Sequence, residues 1–243
     1  MTLREYLIFL LVLLLCAAFS GWASYKVHSS YKAYSSVKTR SGMTGYDTAV
    51  KLLRMGGVTD IAVKRVSGRL TDHYHPTKKL VNLSESTYGD DSVAAVAVAA
   101  HEIGHVMQKK KGYFPYKIRA SLVPIANVGS ALAIPLVIIG VLLDTLVTAG
   151  QFSGWGFWFA IAGVAAYGMS TLFTLVTLPV ELNASKRAGQ MLLEAGVLTE
   201  EEMPGARKVL TAAAMTYLAA LLTSLVYFLR FAAWVFRLVG RDD

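Results

Sequence analysis

The chain has 243 residues, of which 54% are apolar and 16% are charged, and its formal net charge is +8. Soluble domains are nearer to roughly 45–50% apolar and about 25% charged. The mean hydropathy of +0.47 and the long apolar blocks exclude an ordinary soluble protein and indicate a membrane protein. No recognition motif accompanies the positive charge, which argues against nucleic-acid binding, and the single cysteine, Cys16, excludes a disulfide framework.

The first apolar block is Tyr6–Ala23. A secretory signal peptide is the alternative reading, but the apolar core is long and no clear small-x-small cleavage site follows it before Lys26. We therefore predict an uncleaved N-terminal membrane anchor helix within residues 1–25.

A basic, polar segment follows, in which residues 26–119 carry 16 Lys and Arg against 7 Asp and Glu. Such a segment between two apolar blocks is typical of cytoplasmic placement. Capping and turn residues predict helices at Ala49–Met55 and Val93–Lys110. Between these helices the pattern predicts three short strands: Ile61–Val66, Arg69–His75 and Leu80–Ser84.

Three further apolar blocks cover Leu122–Val147, Phe157–Leu178 and Val209–Leu229. The first two are long enough to cross a hydrocarbon core about 30 Å thick. Their outer flanks are basic, at Lys117, Arg119, Lys186 and Arg187, which predicts a hairpin with both outer ends in the cytoplasm. The last block is followed by three arginines and could either span the membrane or lie in the interface.

The residues that carry chemistry are His101-Glu102-Ile103-Gly104-His105, within the predicted helix Val93–Lys110. Residues four apart share a helix face, so the two imidazoles can bind one ion with Glu102 beside them. Catalytic zinc sites use neutral imidazoles and keep one position open for water, whose proton a nearby carboxylate can accept. Two surface histidines are the alternative. The small apolar residues before the motif argue against it, because ionisable groups in a core helix are costly unless they bind metal or water.

The third metal ligand has several candidates. Glu181 follows Pro179 at the cytoplasmic end of the third apolar block, on the side predicted for the motif, although it could instead be an interfacial carboxylate neutralised by a neighbouring base. His73 and His75 would share one face of a strand, where exposed polar residues are the simpler interpretation. His28 lies next to the first apolar block and is expected to be solvated.

Three stretches resemble the YugP-like family of membrane zinc metallopeptidases: HEIGH at 101–105, Glu181-x-x-Ala-Ser-x-Arg187, and Leu70–Tyr74. The motif is also similar to that of the HtpX and CAAX-prenyl-protease group, whose third ligand is a Glu on a later helix. The resemblance covers nearly the whole chain. It implies one Zn²⁺ per chain, with His101, His105 and Glu181 as ligands and Glu102 as general base.

One position departs from the broader group, which often has an Asp four residues after the ligand Glu, where this chain has Ser185. Asp72 or Asn183 could then hold a ligand histidine instead. Peptide hydrolysis also needs a donor for the developing oxyanion. The candidates are Tyr74, Tyr88, His73 and Arg187.

The predicted fold class is mainly α: a multi-pass membrane protein with a small α+β, cytoplasmic, zincin-like metallopeptidase domain that carries the HExxH helix. Five segments are expected: an anchor helix (1–25), a cytoplasmic metallopeptidase segment (26–120) with the motif helix (93–110), a transmembrane hairpin (121–180), a cytoplasmic segment with the third ligand (181–208), and a fourth membrane helix with a basic tail (209–243). The strands at 61–84 could offer an edge to an extended substrate.

The expected function is zinc-dependent endopeptidase activity at the cell membrane, with the active site on the cytoplasmic side. Protein or peptide substrates and the lipid bilayer are the expected partners, and nucleic acid is not. Two alternatives stay open. One is a site-2-type intramembrane protease that uses Asp144 as its distal ligand, and the other is a non-catalytic membrane scaffold with a structural metal, which would require four protein ligands and no base.

Overall fold

The computed structural model describes residues 3–147 and 154–239. In chain order its elements are α1 (Leu3–Ser35), α2 (Gly45–Met55), β1 (Ala62–Val66), β2 (His73–His75), β3 (Leu80–Ser84), α3 (Glu85–Tyr88), α4 (Val93–Lys110), α5 (Phe114–Val147), α6 (Trp155–Glu194) and α7 (Met203–Val239). The fold is mainly helical with one small three-stranded sheet. This confirms the predicted combination of long apolar helices with a small α+β part.

Four of the described helices, α1, α5, α6 and α7, are long and apolar enough to cross a membrane. They contain the four apolar blocks of the sequence. Helix α6 continues through Pro179 as far as Glu194. Residues after the third apolar block, including Glu181 and Ser185, therefore lie on a regular helix, where positions four apart share a face.

The described residues form two compact units. One consists of Ser20–Tyr116 and Pro179–Tyr217, and it contains the sheet, α2, α3 and α4. The other consists of the described residues of Met1–Phe19, Lys117–Leu178 and Leu218–Asp243. Within the second unit α5 and α6 approach closely, since a Cβ atom added to Gly129 would lie 2.6 Å from the Ala166 carbonyl oxygen. Small residues at such contacts are typical of membrane helix pairs.

The sheet has the strand order β1-β3-β2. Strand β3 pairs in parallel with β1, with Ala62 opposite Leu80, and antiparallel with β2, with His73 opposite Asn82. Strand β2 is shorter than the predicted strand Arg69–His75, so that prediction was wrong at its start. The reason is Leu70, whose φ of 56° lies in the left-handed region and interrupts an extended strand.

Helix α4 has the bounds expected from its capping residues. The Ser92 hydroxyl accepts a hydrogen bond from the Ala95 N–H (3.2 Å), and Lys109 and Lys110 lie in the last turn. Its first two turns consist of small apolar side chains, nearly all of them buried. Alanine side chains let neighbouring elements pack closely against α4, which forms the centre of the core. The motif at 101–105 is therefore held in a fixed position.

Candidate metal centre

Three side chains that can bind metal converge in the unit that contains α4. The ligand atoms of His101, His105 and Glu181 all lie within 4.8 Å of one another. The two imidazoles come from successive turns of α4, with ring centroids 4.8 Å apart and ring planes at 90°. Glu181 comes from α6, after Pro179. The motif helix and the later carboxylate therefore meet at one point, as a three-ligand site requires.

The contacts within this cluster are close enough for a single ion. The Glu181 Oε2 atom lies 3.1 Å from His101 Nε2 and 3.3 Å from His105 Nε2. Glu181 is only 2% exposed, and its carboxylate faces both imidazoles. Two imidazole nitrogens and one carboxylate oxygen form a donor set that suits zinc.

The second nitrogen of each imidazole is occupied by a hydrogen bond. His101 Nδ1 shares a hydrogen bond with the Ser185 hydroxyl (3.1 Å), and His105 Nδ1 donates to Gln108 Oε1 (3.0 Å). When Nδ1 carries the proton, the lone pair of Nε2 is free to bind a metal ion. Outer hydrogen bonds of this kind fix the ring orientation.

Gln108 connects the two helices that supply the ligands. It is fully buried, and its amide nitrogen donates to the Val180 carbonyl oxygen (2.7 Å) and to Asn183 Oδ1 (3.0 Å). Both of these acceptors lie on α6, on either side of Glu181. Because the amide nitrogen is committed to acceptors on α6, the amide oxygen must face His105. Gln108 therefore holds the His105 ring and the Glu181 backbone in register.

Gly104 permits the close approach of α4 and α6. A Cβ atom at this position would lie 2.6 Å from the Ala184 carbonyl oxygen, a distance that real Cβ contacts do not reach. Any other residue would push the helices apart and separate the imidazoles from Glu181. The glycine of the motif thus has a packing reason, independent of chemistry.

Glu102 lies next to the cluster and has a different environment. It is 8% exposed, and together with His101 it forms part of the wall of a cavity of about 320 Å³. None of the hydrogen bonds described in the structure involves its carboxylate, which is therefore available to a molecule in the cavity. The carboxylate charges of Glu181 and Glu102 also act on His105: burial lowers the pKa of this imidazole, but the two carboxylates raise it above its ordinary value.

The strand histidines do not join the cluster. His73 donates from Nδ1 to the Thr71 carbonyl oxygen and accepts at Nε2 from the Asn82 amide (both 2.9 Å), and His75 Nδ1 accepts from the Lys78 N–H. Both side chains thus serve the local structure of the sheet.

Asp72 and Arg187, which the sequence suggested near the site, have other partners. Asp72 accepts hydrogen bonds from the Ser84 N–H (2.7 Å) and hydroxyl (2.8 Å), although it also lines the cavity beside Glu102. Arg187 donates to Asn183 (2.7 Å) and lies over the Tyr113 ring. Neither contacts a ligand imidazole in the described hydrogen bonds.

The two tyrosines suggested as oxyanion donors lie elsewhere. Tyr74 lines a different cavity, with Asp60 and Lys109, and burial raises the pKa of its hydroxyl to about 12. Tyr88 packs against the ring of Tyr46, with centroids 4.8 Å apart. The side chain of Asp144, the distal ligand in the site-2-type alternative, lies outside the described residues.

Two contacts of the site were not found from the sequence. Ser185 was noted only as a departure from a common Asp, yet its hydroxyl occupies the position of an outer partner of His101. Gln108 was not considered. The spacing held a signal for both: Ser185 follows Glu181 by one helical turn, and Gln108 follows His105 by nearly one turn.

Comparisons with known proteins agree with this geometry. A family described as "Putative neutral zinc metallopeptidase" matches residues 7–236 of the chain. A protein of Bacillus subtilis (strain 168) named "Putative membrane protease YugP" is 39% identical over 237 residues, which cover 98% of this chain and all of that protein. The comparison with solved structures found no match.

Proposed function

Because this chain belongs to the neutral zinc metallopeptidase family, we propose that it is a membrane endopeptidase whose zinc ion is held by His101, His105 and Glu181. In this proposal Glu102 is the general base. The substrates are proteins or peptides, since a peptidase acts on peptide bonds. One zinc ion per chain is sufficient, because the donor set forms a single cluster.

One observation carries the proposal: three ligand atoms converge within 4.8 Å, while the adjacent Glu102 carboxylate lines an open cavity instead of joining them. A structural zinc site is closed by four protein ligands and needs no base. Here the described residues supply three ligands, a neighbouring carboxylate and space for another molecule. This arrangement supports catalysis over the alternative of a scaffold with a structural metal.

In the proposed mechanism the cavity admits the scissile peptide bond beside Glu102. When bound, zinc supplies a Lewis acid that polarises the carbonyl and lowers the pKa of water toward about 7. Glu102 accepts the proton that the attacking water loses as its oxygen bonds to the carbonyl carbon. Glu102 then donates this proton to the amide nitrogen, so that the C–N bond breaks and the amine leaves. Ser185 and Gln108 keep the imidazoles oriented during these steps.

We place the active site on the cytoplasmic side of the membrane. The support is the charge of the segment that contains the motif and the basic flanks at Lys117 and Lys186, together with four helices that could span. The five predicted segments, from the anchor helix (1–25) to the fourth membrane helix (209–243), belong to the same proposal. Protease accessibility of tags on each loop, in sealed vesicles, tests it.

The experiment that tests the function is Glu102→Gln in the full chain, purified in detergent with zinc. The amide keeps the size of the side chain but cannot accept the proton, so zinc content should remain one per chain while hydrolysis of an unstructured protein falls about 10²–10⁴-fold. Glu194→Gln is the matched control, since this exposed glutamate lies on α6 far along the helix from Glu181. Full cleavage by Glu102→Gln would overturn the role of Glu102.

A further inference from the structure

The cavity beside Glu102 has a composition that the proposed mechanism does not explain. It is bounded by residues of α1, α4 and α7 and by the segment before β2, all within the unit that holds the metal cluster. Its volume of about 320 Å³ is at the lower end of the range for ligand pockets, roughly 300–1,000 Å³. The space therefore suits one or two side chains rather than a large cofactor.

The lining is mainly apolar. Six aliphatic side chains line it, together with the rings of Tyr31 and Tyr217: Val27, Leu70, Val98, Val209, Leu210 and Ala213. Among the described residues no Lys or Arg lines the cavity, and its two carboxylates belong to Glu102 and to Asp72, which already accepts two hydrogen bonds from Ser84. An acidic group would meet these two carboxylates, whereas an apolar group would lose water-exposed surface on entry.

The wall is held in place by contacts outside the cavity. The Tyr31 hydroxyl donates to the Ser86 carbonyl oxygen (2.7 Å), which ties α1 to the segment after β3. Leu70 keeps a φ of 56°, a conformation that is uncommon for residues other than glycine and that persists only where the surrounding structure enforces it. The cavity is thus preformed, as specificity pockets usually are.

The position of the cavity next to Glu102 indicates which part of a substrate it binds. Glu102 and His101 belong to the cavity wall, and Val98 precedes His101 on α4 by almost one helical turn. A group inside the cavity is therefore within reach of the bond on which Glu102 acts. We propose that the cavity is the subsite for a large apolar side chain, such as Leu, Met or Phe, of the substrate residue next to the scissile bond. This inference rests on the proposed function.

The test uses peptides that differ in one residue, placed in turn on each side of a single scissile bond, with Leu, Phe, Ala, Asp or Lys at that position. The wild-type protein should cleave the Leu and Phe peptides about 10–200-fold more efficiently, in kcat/KM, than the Ala peptide, and the Asp peptide least. Ala213→Phe, which fills the cavity, should reverse the order of Leu and Ala. Ala220→Phe is the matched control, because Ala220 is exposed on the same helix and does not line the cavity.

A second variant, with a larger cavity, tests the same inference if Ala213→Phe does not fold. Val209→Ala removes two methyl groups from the wall and should shift the preference from Leu toward Phe. Zinc content and the melting temperature of each variant show whether it is folded. If a folded Ala213→Phe and a folded Val209→Ala both keep the wild-type preference, the inference is wrong.

Binding separates this inference from the proposed function. Zinc-loaded Glu102→Gln protein should bind fluorescently labelled Leu and Phe peptides at least about tenfold more tightly than Ala or Asp peptides, and Ala213→Phe on that background should remove the difference. Absence of hydrolysis by the wild type together with this binding order would overturn the endopeptidase and keep the cavity as a binding site for an apolar side chain. Hydrolysis by the wild type without any binding or cleavage preference would overturn the subsite and keep the endopeptidase.

Discussion

The two imidazoles of the metal cluster lie in different surroundings. The side chain of His105 is 10% exposed, and its partner Gln108 is fully buried and bonded to two acceptors on α6. The side chain of His101 is 15% exposed, its partner is a single hydroxyl, and it lies in the wall of the cavity beside Glu102. One end of the motif is therefore built into the core, while the other faces the space where a substrate would lie.

In the proposed function one short helix both holds an ion and performs a reaction, and the two surroundings suit these two tasks. Buried, fully bonded polar networks are rigid and expensive to disturb, since each partner that is lost leaves another group unsatisfied. An open site needs side chains that water and substrate can reach. His101 and His105 lie on successive turns of α4, about 6 Å apart along the helix axis. Each turn can therefore meet one of the two needs.

The largest expected effect is the loss of Glu181, the proposed ligand that contacts both histidines of the motif. Glu181→Ala removes the carboxylate that lies 3.1 Å and 3.3 Å from the two imidazole nitrogens. Zinc content should fall from one per chain to near zero at low micromolar free zinc, and hydrolysis with it. Metal analysis after gel filtration measures the stoichiometry.

Asp144→Ala is the comparison for this variant, because the site-2-type alternative assigns the distal ligand to Asp144. In the proposal made here Asp144→Ala keeps its zinc. The opposite pattern, in which Glu181→Ala retains zinc and Asp144→Ala loses it, would replace the proposed ligand set.

The next effect concerns the contact that brings the two helices together. Gly104→Ala gains helix propensity, about 0.5–1 kcal/mol, but its Cβ meets the Ala184 carbonyl oxygen at 2.6 Å. Overpacking of this kind costs about 1–3 kcal/mol, so the variant should be less stable than the wild type and bind zinc more weakly. Thermal unfolding in detergent, with and without zinc, measures both.

Gly189→Ala is the matched control on α6. Its Cβ would meet only the Met203 Cε atom, at 3.4 Å, which a flexible side chain can accommodate. The same gain in helix propensity should therefore leave this variant as stable as the wild type or slightly more stable. Equal stability of the two alanine variants would show that the close approach of α4 and α6 is not needed.

The contact at Gly104 also shows which features of the site could be predicted from the sequence and which could not. The bounds of α4 and the shared face of its two histidines follow from capping residues and helix periodicity, which are local properties. Glu181 could be named because charge patterning placed it on the same side as the motif and because it matches a family stretch. Its burial against both imidazoles depends on which faces of α4 and α6 meet, and no local pattern determines that.

The residues that could not be found from the sequence are those whose role depends on which faces of α4 and α6 pack together. Gln108 reads as one polar residue before three lysines at a solvated helix end, but it is fully buried because α6 covers it. Strand β2 was overestimated for a similar reason, since the left-handed conformation of Leu70 is imposed by its surroundings and not by leucine.

The smallest expected effects come from the outer hydrogen bonds, and they compare the two ends of the motif directly. Gln108→Ala leaves His105 Nδ1 without its acceptor and the Val180 carbonyl oxygen without its donor, in a fully buried place. Loss of such a partner typically lowers metal affinity about 10–100-fold, and we expect the upper part of that range. Ser185→Ala removes one hydroxyl from a half-buried position that water can reach, so about tenfold or less is expected.

Competition with a chromophoric zinc chelator measures both affinities, and the ratio between the variants is the informative quantity. Ser185→Asp is a third variant for this experiment, because a carboxylate accepts a hydrogen bond from His101 Nδ1 more strongly than a hydroxyl does. Its zinc affinity should exceed that of Ser185→Ala. If Ser185→Ala proved the more damaging of the two alanine variants, the buried end would not be the one that holds the ion. The roles assigned to the two turns of α4 would then have to be exchanged, with Gln108 needed for the fold alone.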